Sequence, residues 1–175
     1  MKYLLVIALI FSTLTSCVET NPGADINIKG LKPIYVNLDI EEIRNLPPRE
    51  FEELQNIVLY KSYIYLVELL VGVHILDNTD PSNPVNLGFI SISGVSQITI
   101  DEDVLFANFG ADLILINITD PLDITVDNII EDFYDIDAEE LSPENYFGSF
   151  ECPDPSKGFI LEWVEETLFD PQCWK

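Results

Sequence analysis

The tripeptide Thr79-Asp80-Pro81 recurs as Thr119-Asp120-Pro121, forty positions later, and the recurrence extends upstream in register. Ile64-Tyr65-Leu66 falls on Val104-Leu105-Phe106, and Val73-His74-Ile75-Leu76-Asp77 falls on Leu113-Ile114-Leu115-Ile116-Asn117. A repeat of this length restricts the fold sharply. Each copy must be one supersecondary unit that buries its apolar face against a neighbour. The two copies run from about residue 56 to 92 and from about 96 to 133.

Within each copy, apolar and β-branched runs of four to seven residues alternate with turn residues, which predicts an all-β protein built from short antiparallel strands. Expected in the first copy are Ile57–Tyr60, Tyr63–Val67, Gly72–Asp77 and Val85–Ser91; in the second, Gln97–Ile100, Val104–Phe109, Asp112–Asn117 and Thr125–Ile130. Lys61-Ser62 and Asp101-Glu102-Asp103 supply the hairpin connections. The Asp-Pro pairs end the third strand of each unit, because Asp bonds its own downstream backbone and Pro cannot donate to a ladder.

Four antiparallel strands in about 40 residues is the size of a propeller blade. The stretch from Gly72 through Asp77-Asn78-Thr79-Asp80-Pro81 to Pro84, with Gly88-Phe89-Ile90 and Ala111-Asp112-Leu113-Ile114-Leu115-Ile116, resembles the LVIVD repeat of bacterial surface β-propellers. Lys32-Pro33-Ile34-Tyr35 and Phe150-Glu151-Cys152-Pro153-Asp154-Pro155-Ser156-Lys157-Gly158 resemble segments of LVIVD lipoproteins from the Bacteroidetes. The resemblance implies blade-like sheets and an envelope location; it brings no activity and no catalytic residue. One departure matters, because two blades are present where a closed propeller needs at least four. Either the two sheets pack face to face like a sandwich, with residues 31–50 and 145–175 wrapping the rim, or chains associate to cover the open flanks.

The N-terminus has the layout of a secretion signal over residues 1–16, with Lys2 ahead of an apolar run from Leu4 to Phe11. That run is far short of the roughly 20 residues a spanning helix needs. Leu14-Thr15-Ser16-Cys17 resembles the lipobox of bacterial lipoproteins, which implies cleavage before Cys17 and lipid on that cysteine. Residues 17–30 then form a lipidated tether, residues 31–175 a single β domain, and residues 145–175 a tail pinned by a disulfide between Cys152 and Cys173. Leu38–Leu46 has apolar residues near helical spacing, with Pro47-Pro48 as a stop, and predicts a short helix. Phe159–Leu168 fits either a strand or a short helix.

Charge narrows the partners. There are 31 acidic residues and a formal net charge of −23, which loss of Lys2 with the leader takes one unit further. Phosphate backbones repel such a body, so nucleic acid is excluded as a partner. Nearly half the chain is apolar, so the acidity does not imply disorder.

Chemistry is sparse. His74 is the only imidazole, and its counterpart Ile114 marks the position as an ordinary strand site. No Walker loop, GxGxxG, GxSxG or HExxH is present. Asp101 and Asp103 in a turn, and Asp135 and Asp137 after the second repeat, are candidate Ca²⁺ ligands, although neither segment has EF-hand spacing. Asp80 and Asp120 read as Asx-turn residues. Tyr60, Tyr63, Tyr65, Phe89, Phe106 and Phe109 lie in strands, as core or as a face that stacks on sugars or on a protein. The expectation is an outer-membrane-anchored, non-catalytic binding or assembly module with a protein or glycan partner. Its rivals are a calcium-stabilised structural protein and a carboxylate-based hydrolase.

Overall fold

Period-two alternation in short runs bounded by turn residues is satisfied by strands, and strands are what the chain forms. The computed structural model describes residues 27–136 and 141–175. Its strands are β1 (Asn27–Val36), β2 (Arg44–Leu46), β3 (Leu54–Tyr60), β4 (Tyr63–Glu68), β5 (Gly72–Asp77), β6 (Val85–Ser91), β7 (Ile98–Asp101), β8 (Val104–Phe109), β9 (Asp112–Asn117), β10 (Thr125–Ile130), β11 (Ser149–Phe150), β12 (Phe159–Phe169) and β13 (Cys173–Trp174). They make three open sheets, ordered β2-β6-β5-β4-β3, β10-β9-β8-β7 and β12-β1-β11-β13. Among the described residues the only helical elements are two 3-10 turns.

Each repeat forms one antiparallel meander, joined at the expected turns. Glu102 and Asp103 both have positive φ, 45° and 65°, as a two-residue hairpin whose twist matches its strands requires. The amide of Asn78 bonds Ser62 O at 2.7 Å, and that of Ile118 bonds Asp103 O at 2.8 Å, the same closure in both copies. Asp80 accepts from the Ser82 amide and Asp120 from the Leu122 amide, each at 3.0 Å, so both are Asx-turn residues as expected.

The two repeats share one core, but they present opposite faces to it. In the first sheet Tyr65 and Val67 pair with Ile75 and Val73; in the second Leu105 and Ala107 pair with Ile116 and Ile114, and all eight lie in one buried cluster. Tyr65 is the third residue of β4, whereas Leu105 is the second of β8; Val73 is the second of β5, whereas Ile114 is the third of β9. Successive side chains on a strand alternate faces, so a one-place offset exchanges the face. The two sheets therefore turn opposite faces to their shared core, with β3 lying against β7.

The flanks depart from expectation. Residues 38–46 are not a helix: Asp39 caps a single 3-10 turn at Ile40–Glu42, and β2 then adds a fifth strand to the first sheet, pairing Arg44–Leu46 with Ser91–Phe89. A helix of about two turns has little stability of its own. The open edge of β6 offers ladder bonds, Ile43 enters the core, and Asn45 donates to Pro121 O at 3.0 Å while accepting the Ile124 amide at 2.8 Å. The terminal segments do not wrap a rim; they make the third sheet. β1 pairs antiparallel with β12 from Asn27↔Phe169 to Val36↔Phe159, so strand begins four residues inside the expected tether, and Phe159–Leu168 is strand. Cys152 and Cys173 form the disulfide, with Cα atoms 5.2 Å apart, beside the β11/β13 pairing. Cys17, the leader and residues 17–26 lie outside the described residues.

Candidate functional site

Two places in the fold concentrate polar groups. The first lies on the outer face of the first sheet. His74 sits between the Phe51 and Phe89 rings, each centroid 4.8 Å away and edge-on. Its Nε2 lies 2.7 Å from Glu68 Oε2, and Arg49 Nη2 lies 3.2 Å from Glu68 Oε1 while its guanidinium stacks 5.2 Å over Phe89. Because a carboxylate only accepts, the proton is assigned to Nε2, leaving Nδ1 as an acceptor without a partner among the described residues. His74 and Glu68 are 0% and 1% exposed, so no substrate reaches them. Three distant segments build this cluster. The ordinary-strand reading of position 74 is right about its role and blind to its partners, because spacing carries no signal that joins Arg49, Glu68 and His74.

The second place is open. A cleft of about 630 Å³ lies where the β8–β9 turn, the segment after β10 and the approach to β12 meet. Phe109 and Phe159 form its apolar wall, with centroids 5.6 Å apart. Gly110 makes the approach feasible: it holds φ +55°, and a Cβ there would sit 2.8 Å from Phe159 Cδ2. Tyr134 also lines the cleft, held by its amide bonding Ala111 O at 2.8 Å and by an edge-on contact with Phe133 at 4.9 Å. Asp112, Asp132 and Asp135 complete the rim. Asp112 accepts the Asp132 amide at 3.0 Å, which fixes the rim, while the Asp132 and Asp135 carboxylates have no partner among the described residues.

Of the candidate calcium ligands, the structure describes Asp101, Asp103 and Asp135. Asp103 is taken by Lys61 at 2.5 Å, a bond that holds the lysine's pKa above its ordinary value, and its amide donates to the Tyr60 hydroxyl at 2.9 Å. Asp135 lies on the cleft, and Asp137 is outside the described residues. Among the described residues no group of three His, Cys, Asp or Glu side chains is placed to hold a metal ion.

Of the strand aromatics, Tyr65, Phe89 and Phe109 are core, and burial pushes the Tyr65 phenol upward; Phe109, 5% exposed, also borders the cleft. Phe159, Tyr134 and the Asp112–Asp132 clasp escape sequence reasoning because they come from three strand ends that only the packing brings together. No protein-family profile, curated protein or solved structure matches the chain.

Proposed function

We propose that the protein is a cell-envelope lipoprotein, anchored through lipid on Cys17, whose two LVIVD-type repeats form adjacent propeller-like blades and serve as a non-catalytic binding module. The observation that carries the binding role is the cleft: a concavity of about 630 Å³, walled by aromatic rings and rimmed by unspent carboxylates, at the loop end of the second sheet. Volumes of this order suit small ligands or a single inserted side chain. The two repeats turn opposite faces to their shared core, as successive blades do, and this supports the blade reading of the LVIVD-like motifs.

Two measurements test the proposal. Labelled palmitate should enter the wild-type chain and not Cys17→Ser; equal labelling of both removes the anchor. A photo-crosslinking residue at Ile136 on the cleft should give one discrete adduct in intact envelopes, while one at Thr99 on the outer face of the second sheet should not. Matching patterns from the two sites would dismiss the cleft as the binding surface.

A further inference from the structure

Resting on that reading of the cleft, we infer that its ligand is a compact organic cation: an ammonium group carried on an apolar body. Three independent properties of the cavity point there. Its lining is aromatic, with Phe109 and Phe159 5.6 Å apart and Tyr134 among the lining residues, and π faces attract a cation brought within about 6 Å of the ring centroid. Its rim carries three carboxylates and no Lys or Arg among the described residues, so nothing there favours an anion. Among the described residues those carboxylates form no group of three that could hold a metal ion, and they share the cleft with the apolar side chains of Leu38, Phe109, Ile136, Leu141 and Phe159. A hard metal ion prefers converging oxygens and gains nothing from phenyl rings. A weakly hydrated ammonium uses both surfaces at once, its charge against the Asp132 and Asp135 side and its body against the phenylalanines.

The shape of the cleft is built into the backbone. Gly94 and Gly110 both sit at positive φ, 84° and 55°, and both lie directly beneath the phenylalanine rings, so the rings settle closer to the backbone than any other residue would allow. Asp132 also holds φ +51° while its amide donates to the Asp112 carboxylate at 3.0 Å, which ties the segment after β10 to the start of β9. The Cys152–Cys173 disulfide closes the loop that contains Phe159, and so fixes the far wall.

The test uses the mature chain and benzyltrimethylammonium as the probe, followed by calorimetry and by chemical shifts of the aromatic rings. Saturable binding is expected at one site, about tenfold tighter than phenethyl alcohol, an uncharged aromatic of similar bulk, and weakened by salt. Tyr134→Ala and Asp135→Asn should each weaken the cation about fivefold or more without moving the thermal midpoint, whereas Asp101→Asn, at the end of β7 and outside the cleft lining, should change nothing. Equal affinity for charged and uncharged probes, or indifference to both cleft variants, overturns the cation assignment. If chitotriose binds and the ammonium does not, the cleft is a glycan site and the cation class is wrong while the binding module stands. If no probe binds but the Ile136 crosslink still forms, the same conclusion holds for a protein partner. Loss of both the probe binding and the crosslink removes the cleft from either role.

Discussion

At matching places the two repeats close their second hairpin differently. In the first, Leu69-Leu70-Val71 joins β4 to β5, and Leu70 is stapled to the linker between repeats by its amide on Val95 O at 2.7 Å and its carbonyl on the Gly94 amide at 2.9 Å. In the second, Gly110-Ala111 makes a shorter turn tied to the following segment by one bond, from the Tyr134 amide to Ala111 O at 2.8 Å, and the cleft lies beside it. The polar groups follow suit. Glu68, at the end of β4, is sealed against His74 and Arg49, while Asp112, at the start of β9, faces the rim. The first turn is one residue longer, and the second carries Gly110 at φ +55° with Phe159 packed against it.

The largest test of that contrast is Glu68→Ala, which strands His74 and removes the carboxylate beneath Arg49. A loss of about 4 kcal/mol is expected from urea unfolding, while a Glu68→Leu, His74→Leu pair should cost less than about 1 kcal/mol. A single variant as mild as the double one would mean that the cluster is not what closes the first repeat. Next, Cys152→Ser should cost about 3 kcal/mol, with hydrogen exchange rising in β12 before β4, because the disulfide closes a loop on the cleft side only. A uniform rise over both would erase the difference between the regions.

Gly110→Ala sharpens the comparison at the turn itself. Alanine at positive φ, pressed on Phe159, should lower stability by about 1–2 kcal/mol and shift the aromatic resonances of the cleft, leaving those of Phe51 and Phe89 in place. The smallest effect is set by pH. Hydroxyl and amide bonds from Thr79, Ser82 and Ser156 hold the Asp77, Asp80 and Asp154 carboxyls below their ordinary value of 3.8. A depressed folded pKa stabilises fully above the unfolded value, so this contribution is present at neutral pH and fades as the pH falls below about 3.8. Asp80→Asn should flatten part of that acid slope, seen as a smaller drop in urea midpoint between about pH 5 and pH 2.5.

Much of the fold was legible before any coordinates, and for local reasons. The strands of both repeats, the hairpin turns, the Asx roles of Asp80 and Asp120 and the Cys152–Cys173 bridge follow from alternation, turn chemistry and cysteine count, each of which acts over a few residues or a few candidates. The segment from Leu38 to Leu46 was misread because its apolar spacing fits a helix, and what decided it was the free edge of β6, forty-five residues further on. The cleft was illegible for the same reason: Phe109, Tyr134 and Phe159 have no common spacing and meet only through packing.

What the amino-acid order determined by itself is a pair of equivalent four-stranded units carried on a strongly acidic chain, because strand and turn signals are read within each unit. Which face each unit turns inward was decided only by the tertiary structure. The alternation marks two faces per sheet and both are apolar enough to bury, so the choice falls to the neighbour: turning opposite faces to the shared core puts Ile114 inside it, leaves His74 to be sealed by Glu68 and Phe51, and brings three strand ends together around an open cleft.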